Sequence, residues 1–401
     1  MQINLRLARR FMVYYLFMRV YFDNAATTVV SEKVAEIVQK TMREDYGNPS
    51  SKHIMGVEAE RYVREASEII ASTLKCKEKE ILFTSGGTES NNTALIGCAI
   101  ANQRAGKHII TTGIEHASVY EPLLFLESLG FEITALPVDE TGHVKLDALK
   151  ESLRPDTILV STMMVNNEIG AIEPVEEMSK IIKGYNKNIL YHVDAIQAYG
   201  KLRIYPNRMG IDLLSVSGHK IHGPKGVGFL YIDENVKIKP IMYGGGQQRG
   251  MRSGTINVTG IAGLGQAAKE AYENLEKNRE YISGIKDMII DGAQKLDGVT
   301  VSSLKGDAGA MHVVSISVEG VKSEVLLHAL EDKGICVSSG SACSTHHPGI
   351  SGTLKGIGLK DSLLDSTIRI SLCELNTKEE AWYFLETLSE LIPQLRRFTR
   401  K

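Results

Sequence analysis

Between about residue 25 and residue 270, short apolar runs alternate with longer amphipathic stretches, and this alternation leaves the chain few architectures. The runs of strand length are Glu80–Thr84, His108–Thr112, Glu132–Leu136, Thr157–Thr162, Leu190–Val193, Leu213–Ser217 and Gly228–Ile232. Helical spacing runs through Val34–Met42, Gly56–Leu74, Asn91–Arg104, Tyr120–Leu129, Leu146–Ser152 and Val175–Lys183. Strands interleaved with helices predict an α/β fold with a mainly parallel sheet covered on both faces, because parallel neighbours need crossover connections. Gly244-Gly245-Gly246 then breaks regular structure, and Ile261 to about Gln294 predicts a long helical connector into a second unit. That unit is expected to be a smaller α+β domain, with strands near Val313–Val318 and Thr367–Leu372 and helices near Glu324–Lys333 and Lys378–Arg397. The expected division is a large domain over residues 25–272 and a small one built from 19–24 and 273–401.

Composition narrows the function. Lys and Arg number 46 against 48 Asp and Glu, a net charge of −2, so direct binding of nucleic acid through phosphate neutralisation is not expected. No apolar run approaches the ~20 residues that cross a bilayer, so no membrane association is expected. The first stretch, with Arg6, Arg9 and Arg10 before the apolar run Phe11–Phe17, has the polarity of a signal peptide. The run is short and no small-residue cleavage site follows it. Residues 1–18 are therefore read as an over-extended start, with Met18 the natural first residue. The five cysteines (Cys76, Cys98, Cys336, Cys343 and Cys373) are odd in number and include no C-x-x-C pair. This disfavours a disulfide framework and a zinc site, and fits a reducing, cytoplasmic setting.

Three local motifs carry chemistry. Ser217-Gly218-His219-Lys220 follows a strand candidate, and a lysine among small residues at a strand end can form a Schiff base with a carbonyl. Asp194 ends the apolar run before it, where a carboxylate can hold a pyridinium nitrogen protonated. Thr84-Ser85-Gly86-Gly87-Thr88-Glu89-Ser90-Asn91-Asn92 joins a strand to a helix through glycines and hydroxyls, the chemistry of a phosphate cup at a helix N-terminus. It is neither a P-loop nor G-x-G-x-x-G. Each motif alone has an ordinary reading as a solvated lysine, a satisfied aspartate or a capped turn; together, in the chain order phosphate cup, carboxylate, lysine, they point to pyridoxal 5'-phosphate (PLP).

From about Val20 to its C-terminus the chain resembles the cysteine desulfurases, NifS/IscS-like fold-type-I PLP enzymes of the class-V aminotransferase group. The resemblance rests on Tyr21–Thr28, Gly47–Ser50, Thr84–Asn92, Val165–Gly170, His192–Gln197, Ser217–Lys220, Arg249–Thr255 and Ser338–Cys343. It implies that Lys220 carries the cofactor and that Asp194 pairs with the ring nitrogen. It further implies that His116 stacks over the ring and acts as acid and base, that Gln197 meets the phenolic oxygen, and that Gly87, Thr88, Ser217 and His219 hold the phosphate. Thr255 would reach the phosphate of the other subunit in a homodimer. Asn167 would serve both cofactor and substrate, and Arg369 would bind the carboxylate of L-cysteine, which suits the bidentate fork of a guanidinium.

Cys343 distinguishes a desulfurase within this fold. Its thiolate would take sulfur from L-cysteine, leaving L-alanine and a persulfide for a sulfur-acceptor protein of iron–sulfur cluster assembly or of tRNA or thiamin thiolation. The small residues Ser338–Ala342 around it suit a moving nucleophile, whereas Cys98 and Cys336 read as structural. His346 and His347 are read as loop residues rather than metal ligands. A selenocysteine lyase or aminotransferase of the same fold, and a non-catalytic sulfur-relay partner, are the competing readings; intact Lys220 and Asp194 weigh against the last.

Overall fold

The structure, a computed structural model, describes residues 19–339 and 351–397. They divide into two compact units, one of residues 27–166 and 172–275 and one of residues 19–26, 167–171 and 276–397. The chain enters through β1 (Val20–Tyr21) of the smaller unit before building the larger one.

The larger unit is a seven-stranded sheet of β2 (Ile81–Thr84), β3 (His108–Thr112), β4 (Glu132–Leu136), β5 (Thr157–Met163), β6 (Leu190–Asp194), β7 (Leu213–Ser217) and β8 (Gly228–Ile232). Its order is β2-β8-β7-β6-β5-β3-β4, parallel throughout except for β8, which runs antiparallel to both β2 and β7. All seven residues of β5 are buried, as expected of a central strand covered on both faces. The helices are α1 (Glu32–Arg43), α2 (Ile54–Leu74), α3 (Gly87–Asn102), α4 (Ala117–Ser128), α5 (Leu146–Ser152), α6 (Val175–Tyr185), α7 (Pro206–Met209) and α8 (Val258–Glu273). One core, under α3 and α4, gathers Leu95, Ala99, Ile109, Val119, Leu123, Leu126 and Leu159.

Two helices differ from the sequence expectation. The helix α3 begins at Gly87 rather than Asn91, so Gly-Thr-Glu-Ser is its first turn and not a loop before it. The expected connector Ile261–Gln294 is two helices: α8 ends at Glu273, where Asn274 leaves helical geometry with its N–H donating to Glu270 O, and α9 (Leu275–Ala293) starts afresh.

The smaller unit holds the four-stranded antiparallel sheet β12-β13-β10-β9, formed by β9 (Val299–Val301), β10 (Val313–Val318), β12 (Ser338–Ser339) and β13 (Thr367–Ser371), while β11 (Ile335–Cys336) pairs in parallel with β1. With α9, α10 (Ser323–Glu331), α11 (Gly352–Gly356) and α12 (Lys378–Arg396) it is an α+β unit. Thr377 and Glu380 close a capping box at the start of α12, each side chain accepting from the other's backbone N–H. Phe22, Ile285, Ile289, Val314, Ile316, Ile370 and Phe384 fill its core. No described helix is long and apolar enough to cross a membrane.

Candidate functional site

Parallel strands expose their carboxyl ends on one side of a sheet, and ligands of open α/β folds gather there. In the larger unit β5, β6 and β7 are neighbours and end at Met163, Asp194 and Ser217. Asp194 is 5% exposed, in a setting that disfavours its charge. Burial pushes its carboxyl up; the Ile196 N–H, the Asn91 amide and the nearby His116 and Lys220 charges work against that rise. Its Oδ1 accepts from Ile196 N (3.0 Å) and its Oδ2 from Asn91 Nδ2 (2.8 Å). Each oxygen keeps acceptor capacity for a further donor.

His116 is the N-cap of α4, and its Nδ1 accepts the Ser118 N–H (3.0 Å) with Ser118 Oγ also at 2.9 Å. With its Nδ1 lone pair committed, the neutral ring carries its proton on Nε2. The same Ser118 Oγ accepts from Asn91 Nδ2 at 2.9 Å, so His116, Ser118, Asn91 and Asp194 form one connected line. Beside it Glu115 is half-buried, with its carboxyl raised by burial to about 8 although Thr112 Oγ1 and Met163 N donate to it.

The first turn of α3 has no side-chain cap, and Ser90 N makes the first helical bond, to Gly86 O (3.0 Å). The amides of Gly87, Thr88 and Glu89 therefore have no intrahelical acceptor and can serve an anion. Gly86 sits at φ 143°, a conformation only glycine adopts without strain, and a Cβ on Gly87 would lie 2.2 Å from Ile196 Cδ1. Glu89 braces this turn, accepting from Ser85 N (2.8 Å) and from Arg252 Nε (2.8 Å). Ser217 is buried at the end of β7, and His219 and Lys220 follow in a short 3-10 turn, both half-buried. Burial, with the charges of Lys220, Lys225 and Lys201, lowers the His219 imidazole to about 4. Gln197 is buried in the loop after β6. Thr255 is exposed and, with Thr84, Ser85 and Arg252, lines a cavity of ≈ 180 Å³.

A cofactor carrying a phosphate and a protonatable ring nitrogen suits this set: an uncapped helix start with glycines for close approach, a buried carboxylate with spare acceptors, and a lysine just past the neighbouring strand. Asn91, Ser118 and Glu115 were not singled out from the sequence. One signal was available: Asn91 stands three, four and seven positions before Ala94, Leu95 and Cys98, on the face of α3 that is buried.

The smaller unit brings Arg369 and Asn167 together. Arg369, on β13 and 5% exposed, donates through Nη1 to Asn167 O (2.8 Å) and through Nη2 to Asp23 Oδ1 (2.9 Å). Its Nε is buried without a partner among the described residues, a donor the fold leaves open for an anion. Cys343, His346 and His347 lie outside the described residues. Of the other cysteines, burial pushes the Cys76 thiol up to about 12 and that of Cys98 still higher, so neither is a ready nucleophile.

The sequence profile of the family described as aminotransferase class-V matches residues 20–384. A relative described as cysteine desulfurase IscS, from Dictyoglomus turgidum, is 44% identical over 383 residues, covering 94% of this chain and 95% of its own. Among solved structures, a NifS-like protein is 40% identical with a TM-score of 0.89, covering 94% of this chain and 100% of its own. Another, described as SspA in complex with cysteine, is 33% identical with a TM-score of 0.78, covering 90% of this chain and 100% of its own.

Proposed function

The chain belongs to the class-V aminotransferase family, among relatives described as cysteine desulfurases, and on that premise we propose that it is a PLP-dependent L-cysteine desulfurase. The observation that carries the reading is the environment of Asp194: a buried carboxylate held by two N–H groups, with acceptor capacity left for a protonated ring nitrogen.

Bound PLP supplies an electron-withdrawing ring that weakens bonds at the substrate's Cα and Cβ. The chain's residues supply the rest. Lys220 would hold the cofactor through its Nζ and, when free, would accept a proton there. Asp194 holds the ring nitrogen protonated, while Gly87, Thr88, Ser217 and His219 bind the phosphate, joined by Thr255 from the second subunit. His219, neutral because burial and three lysines disfavour its charge, can donate a hydrogen bond without adding a cation. Gln197 contacts the phenolic oxygen, and His116 offers its Nε2 proton on the substrate side. Arg369, with Asn167 beside it, binds the carboxylate of L-cysteine through donors not already used within the chain. Cys343 as thiolate attacks the substrate sulfur; a new S–S bond forms as the Cβ–S bond breaks. In balance, L-cysteine and the Cys343 thiol become L-alanine and the Cys343 persulfide, which passes its outer sulfur to an acceptor protein.

A homodimer in the cytoplasm belongs to the same reading, and the exposed apolar side chains of Met42, Tyr46, Ile54, Val57 and Tyr243 are surface a second copy would cover. The test is Cys343→Ala. Purified with PLP, it should retain the cofactor's visible absorption and borohydride fixation at Lys220 yet lose alanine and sulfide formation under thiol. Undiminished turnover would refute the nucleophile assignment, and a wild-type protein that borohydride does not fix to PLP would refute the cofactor reading.

A further inference from the structure

Asn91 occupies a place the proposed chemistry does not use. Its amide spends both hydrogens, on Asp194 Oδ2 at 2.8 Å and on Ser118 Oγ at 2.9 Å, while its own Oδ1 is buried and has no partner among the described residues. A fold rarely leaves a buried carbonyl unpaired, so the two donated bonds must matter more than the one forgone. Turning the amide over would set Oδ1 against the Asp194 carboxylate, oxygen facing oxygen; only a protonated Asp194 could accept that arrangement. At the other end Ser118 Oγ, already accepting from Asn91, lies 2.9 Å from His116 Nδ1, which also accepts the Ser118 N–H at 3.0 Å. One amide thus sets the direction of the bonds to Asp194 and to Ser118, and Ser118 carries the line on to His116 through its hydroxyl and its N–H.

We propose that Asn91 is a positioning residue that couples the ionisation of Asp194 to the proton affinity of His116, so that the partner of the cofactor's ring nitrogen and the acid–base histidine respond to each other. The proposal rests on the PLP reading above. Among the described residues, the charged groups facing Asp194 are His116 from the start of α4, Lys220 from the turn after β7, and Glu115 from the loop after β3. Burial holds Glu115 largely in its neutral form near pH 7, leaving it little negative charge to set against Asp194. Asn91 is therefore the neutral donor through which the two sides communicate.

The test compares PLP-loaded wild type with Asn91→Leu, which removes both donors at similar volume, and with Asn91→Asp, which keeps the shape but sets an acceptor against Asp194. Two pH titrations are read: the visible absorption of the bound cofactor, and kcat/KM for L-cysteine. Loss of the amide donor raises the Asp194 pKa. The acid limb of both curves should then move to higher pH by about half a unit or more, roughly threefold in kcat/KM at a fixed pH on that limb. Asn91→Asp should move it further than Asn91→Leu, and it carries the test if the leucine variant does not fold. Ser118→Ala keeps the Asp194 bond and removes only the hydroxyl leg, so its absorption curve should overlay wild type while its kcat/KM profile shifts. Curves of the Asn91 variants that overlay wild type, or a loss of kcat/KM equal at every pH, overturn the proposal while leaving the cofactor reading intact. Absence of the cofactor band in the wild type overturns both.

Discussion

Replacing Arg369 by lysine keeps the positive charge and tests whether the guanidinium fork is what binds substrate. Arginine has five N–H donors. Within the chain one is spent on Asn167 O and one on Asp23 Oδ1, leaving Nε–H and one hydrogen on each terminal nitrogen. Two of those three can meet a carboxylate side by side. Lysine has three donors; if it keeps both internal bonds only one remains, and the paired contact is lost. A hydrogen bond to a charged group contributes about 1.5–3 kcal/mol. At about 1.4 kcal/mol per tenfold, KM for L-cysteine should rise roughly 10- to 150-fold, with kcat changing less. Steady-state alanine formation measures both constants. Cysteamine, which lacks the carboxylate, provides the internal comparison: the variant should discriminate against it less than wild type does. Because Arg369 is only 5% exposed, urea unfolding should be run alongside, so that lost stability is not read as lost binding. A KM within twofold of wild type in a folded variant would refute the assignment.

Two further outcomes concern the fold. Phe384 is fully buried with its ring edge-on to Phe22 at 6.0 Å, so Phe384→Ala should cost about 3–5 kcal/mol in urea unfolding, and a loss below about 1 kcal/mol would contradict the packing. Glu173 is 3% exposed, accepts the Val144 N–H at 2.9 Å through Oε2, and is raised by burial to about 8. With a folded pKa above the unfolded value near ~4.3, its contribution is fully present below pH ~4.3 and is lost as pH rises through about 8. Glu173→Gln should accordingly lessen the fall in stability between pH 5 and pH 8.5, measured as the urea midpoint at each pH; an unchanged pH slope would refute the buried neutral form.

Strands β3, β4, β7, β8 and β10 begin and end where the sequence placed them; β3, β7 and β8 were legible because a sheet buried on both faces demands continuous apolar runs, and the edge strand β4, largely exposed, by its β-branched pattern between helical stretches. The start of α3 was not, because Gly-Gly-Thr has poor intrinsic helix propensity and reads as loop. In the fold that turn is held by Glu89, which reaches back to Ser85 and across to Arg252, 163 positions away, a brace no local window contains. The break at Asn274 was hidden for the opposite reason: Ala, Glu and Lys continue helical spacing across it, and local propensity carried no stop signal strong enough to register. Lys220 and Asp194 stood out because a lysine and a carboxylate at or just past strand ends are chemically conspicuous, whereas Arg369, in the middle of β13, was pointed to by the family resemblance alone. Asn91 and Ser118 did not, since an amide in a helix and a serine after a cap have many ordinary uses.

Chain order alone supplied the residues from which the proposed chemistry is read: a glycine-rich turn, a carboxylate and a lysine following successive apolar runs. Such information is local, because spacing of a few residues dictates what a backbone segment can do. Which groups meet, and in what charge state, was decided by tertiary structure. The bond from Asn91 to Asp194 spans 103 positions and that from Arg369 to Asp23 spans 346. Each exists only once strands have taken their register. The raised carboxyls of Glu115 and Glu173 and the lowered imidazole of His219 arise largely from loss of water, and desolvation is a property of the packed environment rather than of any residue in the sequence.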